Sequence, residues 1–203
     1  ELLFARDDFR SGVVSLAFSP DEKLIAAGAD LTAFFDKQPN REDPKASIFQ
    51  VLEAHTGNCL FKLSPEECHS VNGTAFIPDG SVLVLALDNN SGSYLRAYST
   101  VTFELLEQSE RIPTGPNDLC LSPDGHWLAV THFRHISLYQ GFPFTRITSF
   151  LSHKAWPNHC HFTHGASHLV STSKDGSLKF WDLSDIIQQP DVIRAQPPAD
   201  DLI

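Results

Sequence analysis

Residues 153–183 read His153-Lys-Ala-Trp156-Pro-Asn-His159-Cys160-His161-Phe162-Thr-His164-Gly-Ala-Ser-His168-Leu169-Val-Ser171-Thr-Ser173-Lys-Asp175-Gly176-Ser-Leu-Lys-Phe180-Trp181-Asp182-Leu183, and this stretch decides the fold. It divides into three short strand-like runs, 159–164, 168–173 and 177–183, separated by turn residues. Asp175-Gly176 stands between the second and third runs. An Asp side chain bonds its own backbone and Gly accepts a positive φ, so the two runs fold back as an antiparallel hairpin.

The same phrase recurs upstream. An apolar run, a Ser-Pro-Asp-like turn and a second apolar run appear at 13–20 with 24–29, at 71–78 with 81–87 and at 118–123 with 127–131. A third run follows each hairpin (47–53, 94–100, 135–140), and a fourth comes next at 58–63, 103–108 and 145–151. The aligned residues Phe18, Phe76, Leu121 and Phe162 lie 58, 45 and 41 residues apart, taken in order. The last two intervals match the roughly 40–45 residues of a four-stranded propeller blade. The first is longer because residues 38–45, polar and twice broken by Pro, read as an exposed loop. No fourth run follows Leu183, and residues 1–5 (Glu-Leu-Leu-Phe-Ala) stand where a closing strand is wanted. The fold class predicted is all-β: a β-propeller of four-stranded antiparallel blades, four in this chain, forming part of a larger or jointly completed propeller. The expected organisation is a propeller segment over 1–185, with blades at about 9–63, 67–108, 113–151 and 153–183, and a polar C-terminal tail over 186–203.

Composition narrows the function classes. A hydrophobic content of 41% with 20% charged residues is that of an ordinary globular protein. The net charge of −10 argues against a nucleic-acid partner, whose phosphates call for a basic surface. No apolar run approaches eighteen residues, and no basic region leads into an apolar stretch at the start, so neither a membrane span nor a signal peptide is expected. Cys59, Cys68, Cys120 and Cys160 stand singly, which reads as reduced thiols in a cytoplasmic or nuclear protein. The chain has no methionine and opens on Glu1, so the expectation is a processed chain or a piece of a larger protein.

Residues 153–183 resemble a WD40 repeat closely. His153 lies nine residues before Phe162, followed by a small-hydroxyl strand, Asp175-Gly176 and the terminal Trp181-Asp182. The resemblance implies a structural tetrad of His153, a serine (Ser171 or Ser173), Asp175 and Trp181. It also explains Ser, His and Asp without a hydrolase triad, because the indole is a fourth partner. The other three repeats depart from the family pattern. Their third strands end in Glu53, Tyr98-Ser99 and Tyr139-Gln140, and Phe9, Glu67 and Ile112 stand where the spaced His belongs.

The resemblance further implies a protein–protein interaction scaffold that binds partner proteins or peptides on its rim loops, with no catalytic residues and no cofactor. Trp156, His159 and Asp118 lie near the start of inner strands, where the family holds partner peptides. Phe133 and Arg134, at a hairpin tip, are residue types that anchor interfaces. His159 and His161 share a strand face and suit a metal in principle. However, His153 is committed to the tetrad, Cys160 faces the other way and His161 takes the slot of Ala17, Ala75 and Cys120, so packed histidines and no metal are expected. Two other classes compete: an enzymatic or ligand-binding propeller with a central-channel site, and a structural subunit of a large assembly. Ser15, Gly73, Asp118 and His159 occupy the channel-facing position, one acid and one His in four, which is thin support for chemistry there. Four blades leave two blade faces uncovered, so the chain is expected to be part of a longer ring, to pair with a second propeller half or a copy of itself, or to close alone through residues 1–5.

Overall fold

The computed structural model describes residues 2–31, 46–163 and 165–187. Four antiparallel sheets follow one another along the chain. Blade 1 is β1 (Val13–Phe18), β2 (Leu24–Ala29), β3 (Phe49–Glu53) and β4 (Cys59–Leu63). Blade 2 is β5 (Ser70–Phe76), β6 (Val82–Asn89), β7 (Gly92–Ser99) and β8 (Leu105–Gln108). Blade 3 is β9 (Pro116–Leu121), β10 (Trp127–His132), β11 (His135–Gln140) and β12 (Thr145–Leu151). Among the described residues blade 4 has three strands, β13 (Pro157–Thr163), β14 (His168–Ser173) and β15 (Leu178–Asp182), followed by the single turn α1 (Ser184–Ile187). All strands pair with their sequence neighbours, so each blade is a meander.

The turns between first and second strands of blades 1 and 3 share one hydrogen-bond design. Ser19 Oγ donates to Asp21 Oδ1 at 2.7 Å and accepts from Leu24 N–H at 2.9 Å. Ser122 repeats this with Asp124 and Trp127 N–H. Gly80 and Gly125 take φ values of 76° and 72° at the turn corner, which a side chain would resist.

Three apolar clusters hold the blades together, one per junction. Ala26, Phe49 and Val51 of blade 1 pack with Leu83, Leu85 and Tyr98 of blade 2. Val84, Leu95 and Ala97 of blade 2 meet Leu119, Leu128 and Tyr139 of blade 3. Cys120, Ile136 and Leu138 of blade 3 meet Cys160, Phe162 and Leu169 of blade 4. Tyr98 and Tyr139 occupy the pairing register of Trp181, opposite Leu83, Leu128 and Leu169 respectively, so an aromatic ring stands at this position in three blades, buried in blades 2 and 3 and partly exposed in blade 4. Cys68, Cys120 and Cys160 are buried, while Cys59 is exposed. Cys120 and Cys160 meet across the last junction with their sulfurs 3.2 Å apart.

Among the described residues no cluster joins blade 4 back to blade 1, so the four blades form an open arc. The consequence is visible at both ends. Val14, Leu16 and Phe18 project from β1 with Leu16 and Phe18 62% and 55% exposed, whereas their counterparts Leu119, Cys160 and Phe162 are buried by a preceding blade. Leu178 and Phe180 on the far side of blade 4 are 67% and 62% exposed. His161 belongs to this second face and is exposed, against the expectation that it packs, because no further blade covers it. The closing strand expected at residues 1–5 is not formed over 2–5 either; residue 1 lies outside the described residues. Phe4 lies instead over Gly57 of blade 1, and Asp8 C=O accepts from Ser47 N–H at 3.1 Å. The loop 38–45, His164 and the tail from 188 onward lie outside the described residues.

Candidate functional site

Blade 4 contains a continuous hydrogen-bond network whose centre, His153 and Ser171, is buried. Trp181 Nε1–H donates to Ser171 Oγ at 2.8 Å, and Ser171 Oγ lies 2.8 Å from His153 Nε2. His153 Nδ1 lies 3.0 Å from Ser177 Oγ and 3.3 Å from Asp175 Oδ2. Ser177 Oγ–H donates to Asp175 Oδ1 at 2.6 Å, and Lys154 N–H donates to Asp175 Oδ2 at 2.8 Å. One proton arrangement satisfies every member: Nδ1–H points to the Asp175 side and Ser171 gives its hydroxyl proton to Nε2. The structure thus brings His153, Ser171, Asp175 and Trp181 together and leaves Ser173 outside, bonded to Trp156 C=O at 3.1 Å. Burial lowers the His153 pKa against the opposing pull of Asp175, while the Ser177 hydroxyl holds Asp175 well below the usual carboxylate range. A neutral imidazole locked between fixed partners is a rivet for the blade, not a reactive base.

The inner strands show a second pattern. Ser15, Gly73 and Asp118 each follow an irregularity near the start of their strand and each face the next blade. Ser15 Oγ–H donates to Val71 C=O at 2.8 Å, joining blades 1 and 2. Asp118 Oδ2 accepts from Cys160 N–H at 3.1 Å, joining blades 3 and 4. At Gly73 the backbones come so close that a Cβ would stand 2.7 Å from Leu119 N. Burial raises the Asp118 pKa, against the Cys160 N–H and His159. Asp118 is therefore an inter-blade staple. His159, whose Nδ1 lies 3.4 Å from Asp118 Oδ2, has a side chain 75% exposed. Cys160 points away from His159 and His161, and among the described residues no three His, Cys, Asp or Glu side chains gather around one point.

The rim carrying the approaches to the inner strands holds a groove of about 170 Å³ to which every blade contributes. Asp30 comes from blade 1, Asn72 and Asp88 from blade 2, Thr114, Gly115, Pro116, Asn117 and Phe133 from blade 3, and Trp156 from blade 4. Phe133 and Trp156 meet edge to face, centroids 6.4 Å apart, yet remain 44% and 49% exposed. Phe133 has φ 46°, an unfavourable backbone conformation for a bulky residue. Its neighbour Arg134 holds it there: Arg134 C=O accepts from Ser152 N–H and Ser152 Oγ, both at 2.9 Å, and Arg134 Nε–H donates to His153 C=O at 3.3 Å. Lys174 Nζ lies 5.4 Å from the centroid of the Trp156 ring. In the groove floor, Asp88 Oδ2 accepts from Ser70 Oγ at 3.2 Å, whereas the buried Asp88 Oδ1 and Asn117 Nδ2 have no hydrogen-bond partner. Burial raises the Asp88 pKa. The groove therefore offers two half-exposed aromatic rings, while the two unpartnered polar atoms lie buried behind its surface. A larger hollow of about 320 Å³ around Pro20 and Gly80 on the turns presents no aromatic side chain, and its Ser19 and Asp21 are spent on the turn.

Of the residues singled out in the sequence, Phe133 and Trp156 line the groove, Arg134 and Asp118 are tied into the scaffold, and His159 is solvent-facing on the open end of blade 4. Asp30, Asn72, Asp88 and Asn117 escaped notice, because only the wheel-like arrangement of blades brings them together. Their signal is positional: each lies at or next to the rim end of an inner or second strand.

The profile of the family described as WD domain, G-beta repeat matches residues 6–35 and 144–182. No curated protein matches. Among solved structures, a chain of "Crystal Structure of Mitotic Checkpoint Complex" superposes with a TM-score of 0.68 at 16% identity, over 85% of this chain and 49% of its own. A chain of "Kuenenia stuttgartiensis Hydrazine Synthase" gives 0.65 at 14% identity, over 86% of this chain and 47% of its own. At such identities the likeness is one of fold, and this chain spans about half the length of the chains it resembles.

Proposed function

We propose that this chain, a WD40-repeat β-propeller segment of four blades, is a protein-interaction scaffold that seats a segment of a partner protein in the rim groove. The observation that carries this reading is the Phe133–Trp156 pair. Two large rings stay half-exposed beside Asp88 Oδ1 and Asn117 Nδ2, polar atoms that burial leaves unsatisfied. An apolar side chain of a partner seated against the rings would cover the aromatic surface that this chain leaves half-exposed. The positive φ of Phe133 fits the same role, since a strained conformation held by the Arg134 contacts fixes the ring for a partner. The tetrad and the staples keep the groove walls in register, as a rigid frame for loop residues that bind.

The test is affinity co-purification with quantitative mass spectrometry, comparing the native chain with Phe133→Ala/Trp156→Ala. Loss of a stoichiometric partner by at least tenfold, with an unchanged unfolding midpoint, is expected. A partner retained at full stoichiometry by the double variant would place the binding surface elsewhere.

A further inference from the structure

We propose that Cys120 and Cys160 are a redox-sensitive pair, which hydrogen peroxide closes to a disulfide that locks blade 3 to blade 4. The pair is a product of register. Successive side chains of an inner strand point to opposite faces, one toward the preceding blade and the next toward the following one. At the junction of blades 1 and 2 the positions in register are Ala17 and Thr74, and at that of blades 2 and 3 they are Ala75 and Leu119. At the junction of blades 3 and 4 they are Cys120 and Cys160. Their sulfurs stand 3.2 Å apart. A disulfide bond is about 2.05 Å long, so about 1.2 Å remains, a gap that rotation about the two Cα–Cβ bonds covers.

The surroundings favour this product. Both thiols are free and lie among Ala129, Ile136, Leu138 and Phe162, yet they keep 8% and 7% exposure, a path for an oxidant little larger than water. The hydrogen bond to Cys120 and burial push the Cys160 thiol well above its usual range, so the pair stays reduced until peroxide is in excess. One sulfur, as thiolate, attacks a peroxide oxygen; the O–O bond breaks, a sulfenic acid forms and hydroxide leaves. The second sulfur attacks the first, the S–S bond forms and the S–O bond breaks. The two thiol protons end on the two departing hydroxides, so two thiols are oxidised and one peroxide is reduced to two waters. Sulfinic acid would instead bury a charge in an apolar cluster, whereas the disulfide adds none. The cross-link joins residues 40 apart in the chain and adds a covalent bond to a junction otherwise held by apolar packing and the Asp118–Cys160 hydrogen bond. It restricts the unfolded chain and so raises stability.

The test treats the folded chain with about 1 mM hydrogen peroxide, in a background of Cys59→Ser so that the exposed thiol cannot cross-link molecules. The chain has no methionine, which leaves thiols as the side chains most open to peroxide. After catalase, iodoacetamide in urea and trypsin, the main product expected is peptide 112–134 joined to peptide 155–174. The urea midpoint of the oxidised chain should rise by roughly 1 M, and dithiothreitol should reverse both changes. Cys120→Ala places there the residue type that stands at 17 and 75, so it should fold and show neither the joined peptides nor the shift. Two alkylated cysteines after hours in peroxide, or sulfinic acid at either, would overturn the pair. Joined peptides with an unchanged midpoint, or a shift that persists in Cys120→Ala, would overturn the lock.

Discussion

Replacing Ser171 by Ala tests whether the blade 4 network bears the stability its geometry implies. Ser171 is 1% exposed and serves two partners at once, accepting from the Trp181 indole and donating to His153 Nε2. Alanine fills most of the same space, so cavity formation is a minor effect and the loss is one of hydrogen bonding. The His153 side chain is fully buried, so its Nε2 would be stranded, which costs about 1–3 kcal/mol. The indole N–H would also lose its acceptor, but Trp181 is partly exposed and water recovers some of that energy. Together the expected loss is about 3 kcal/mol, a large share of a typical stability of about 5–15 kcal/mol. Urea denaturation followed by tryptophan fluorescence measures it as a midpoint lowered by roughly 1–2 M with an unchanged slope. Ser173→Ala is the internal control, since its hydroxyl bonds only backbone groups and no member of the tetrad's side-chain chain, and it should cost about 1 kcal/mol. In a cycle with Trp181→Phe, which deletes the same donor, the Ser171→Ala effect should shrink by at least about 0.5 kcal/mol. A Ser171→Ala loss below about 1 kcal/mol, or one equal to the Ser173→Ala loss, would refute the reasoning.

Gly73→Ala places a Cβ 2.7 Å from Leu119 N, where only movement of the inner strands relieves the clash, so a loss of about 2–4 kcal/mol is expected by the same denaturation. Gly165→Ala, in open space at φ 63°, should cost only about 1–2 kcal/mol of backbone strain. Acid should weaken the fold through His132, whose pKa burial and the neighbouring His135 lower to about 4. The unfolded chain takes up that proton near the ordinary value of 6.5 while the folded chain does not, so stability falls as pH drops through this window. Between pH 6.5 and 5 the loss should approach about 2 kcal/mol, and His132→Asn should flatten it. His153, also lowered, acts in the same direction; Asp88 and Asp118, both raised, act against it.

Legibility in the sequence followed the range of the interactions. Strands and turns were readable because Ser-Pro-Asp and Asp-Gly chemistry is local, and the pairs Phe18/Phe76 and Leu121/Phe162 mark one slot of the blade. The choice between Ser171 and Ser173 stayed open because both hydroxyls lie on one face of β14, and only the reach of His153 from its own segment decides. His161 departs from the packed position expected because its sister positions face a following blade and, among the described residues, none faces His161. The groove was half legible. Phe133 and Trp156 stand out as aromatics at strand ends, but nothing in the chain foretells that Asp88 and Asn117 end up beside them, nor that Phe133 takes a positive φ.

The uneven distribution of the tetrad bears on how the arc comes apart. When stability is a sum of intrinsic blade terms and nearest-neighbour terms, blades 1 and 4 each draw on one neighbour among the described residues where blades 2 and 3 draw on two. Blade 4 offsets this deficit with its own internal network, and blade 1 has no counterpart, carrying Leu52 where Trp181 would stand. Unfolding should therefore be polar, advancing from the N-terminal end, with the amides of β1 and β2 exchanging with deuterium well before those of β14. The molecule would then behave as a spring clamped at one end, keeping Trp156 and Phe133 on the clamped side while the first blade breathes.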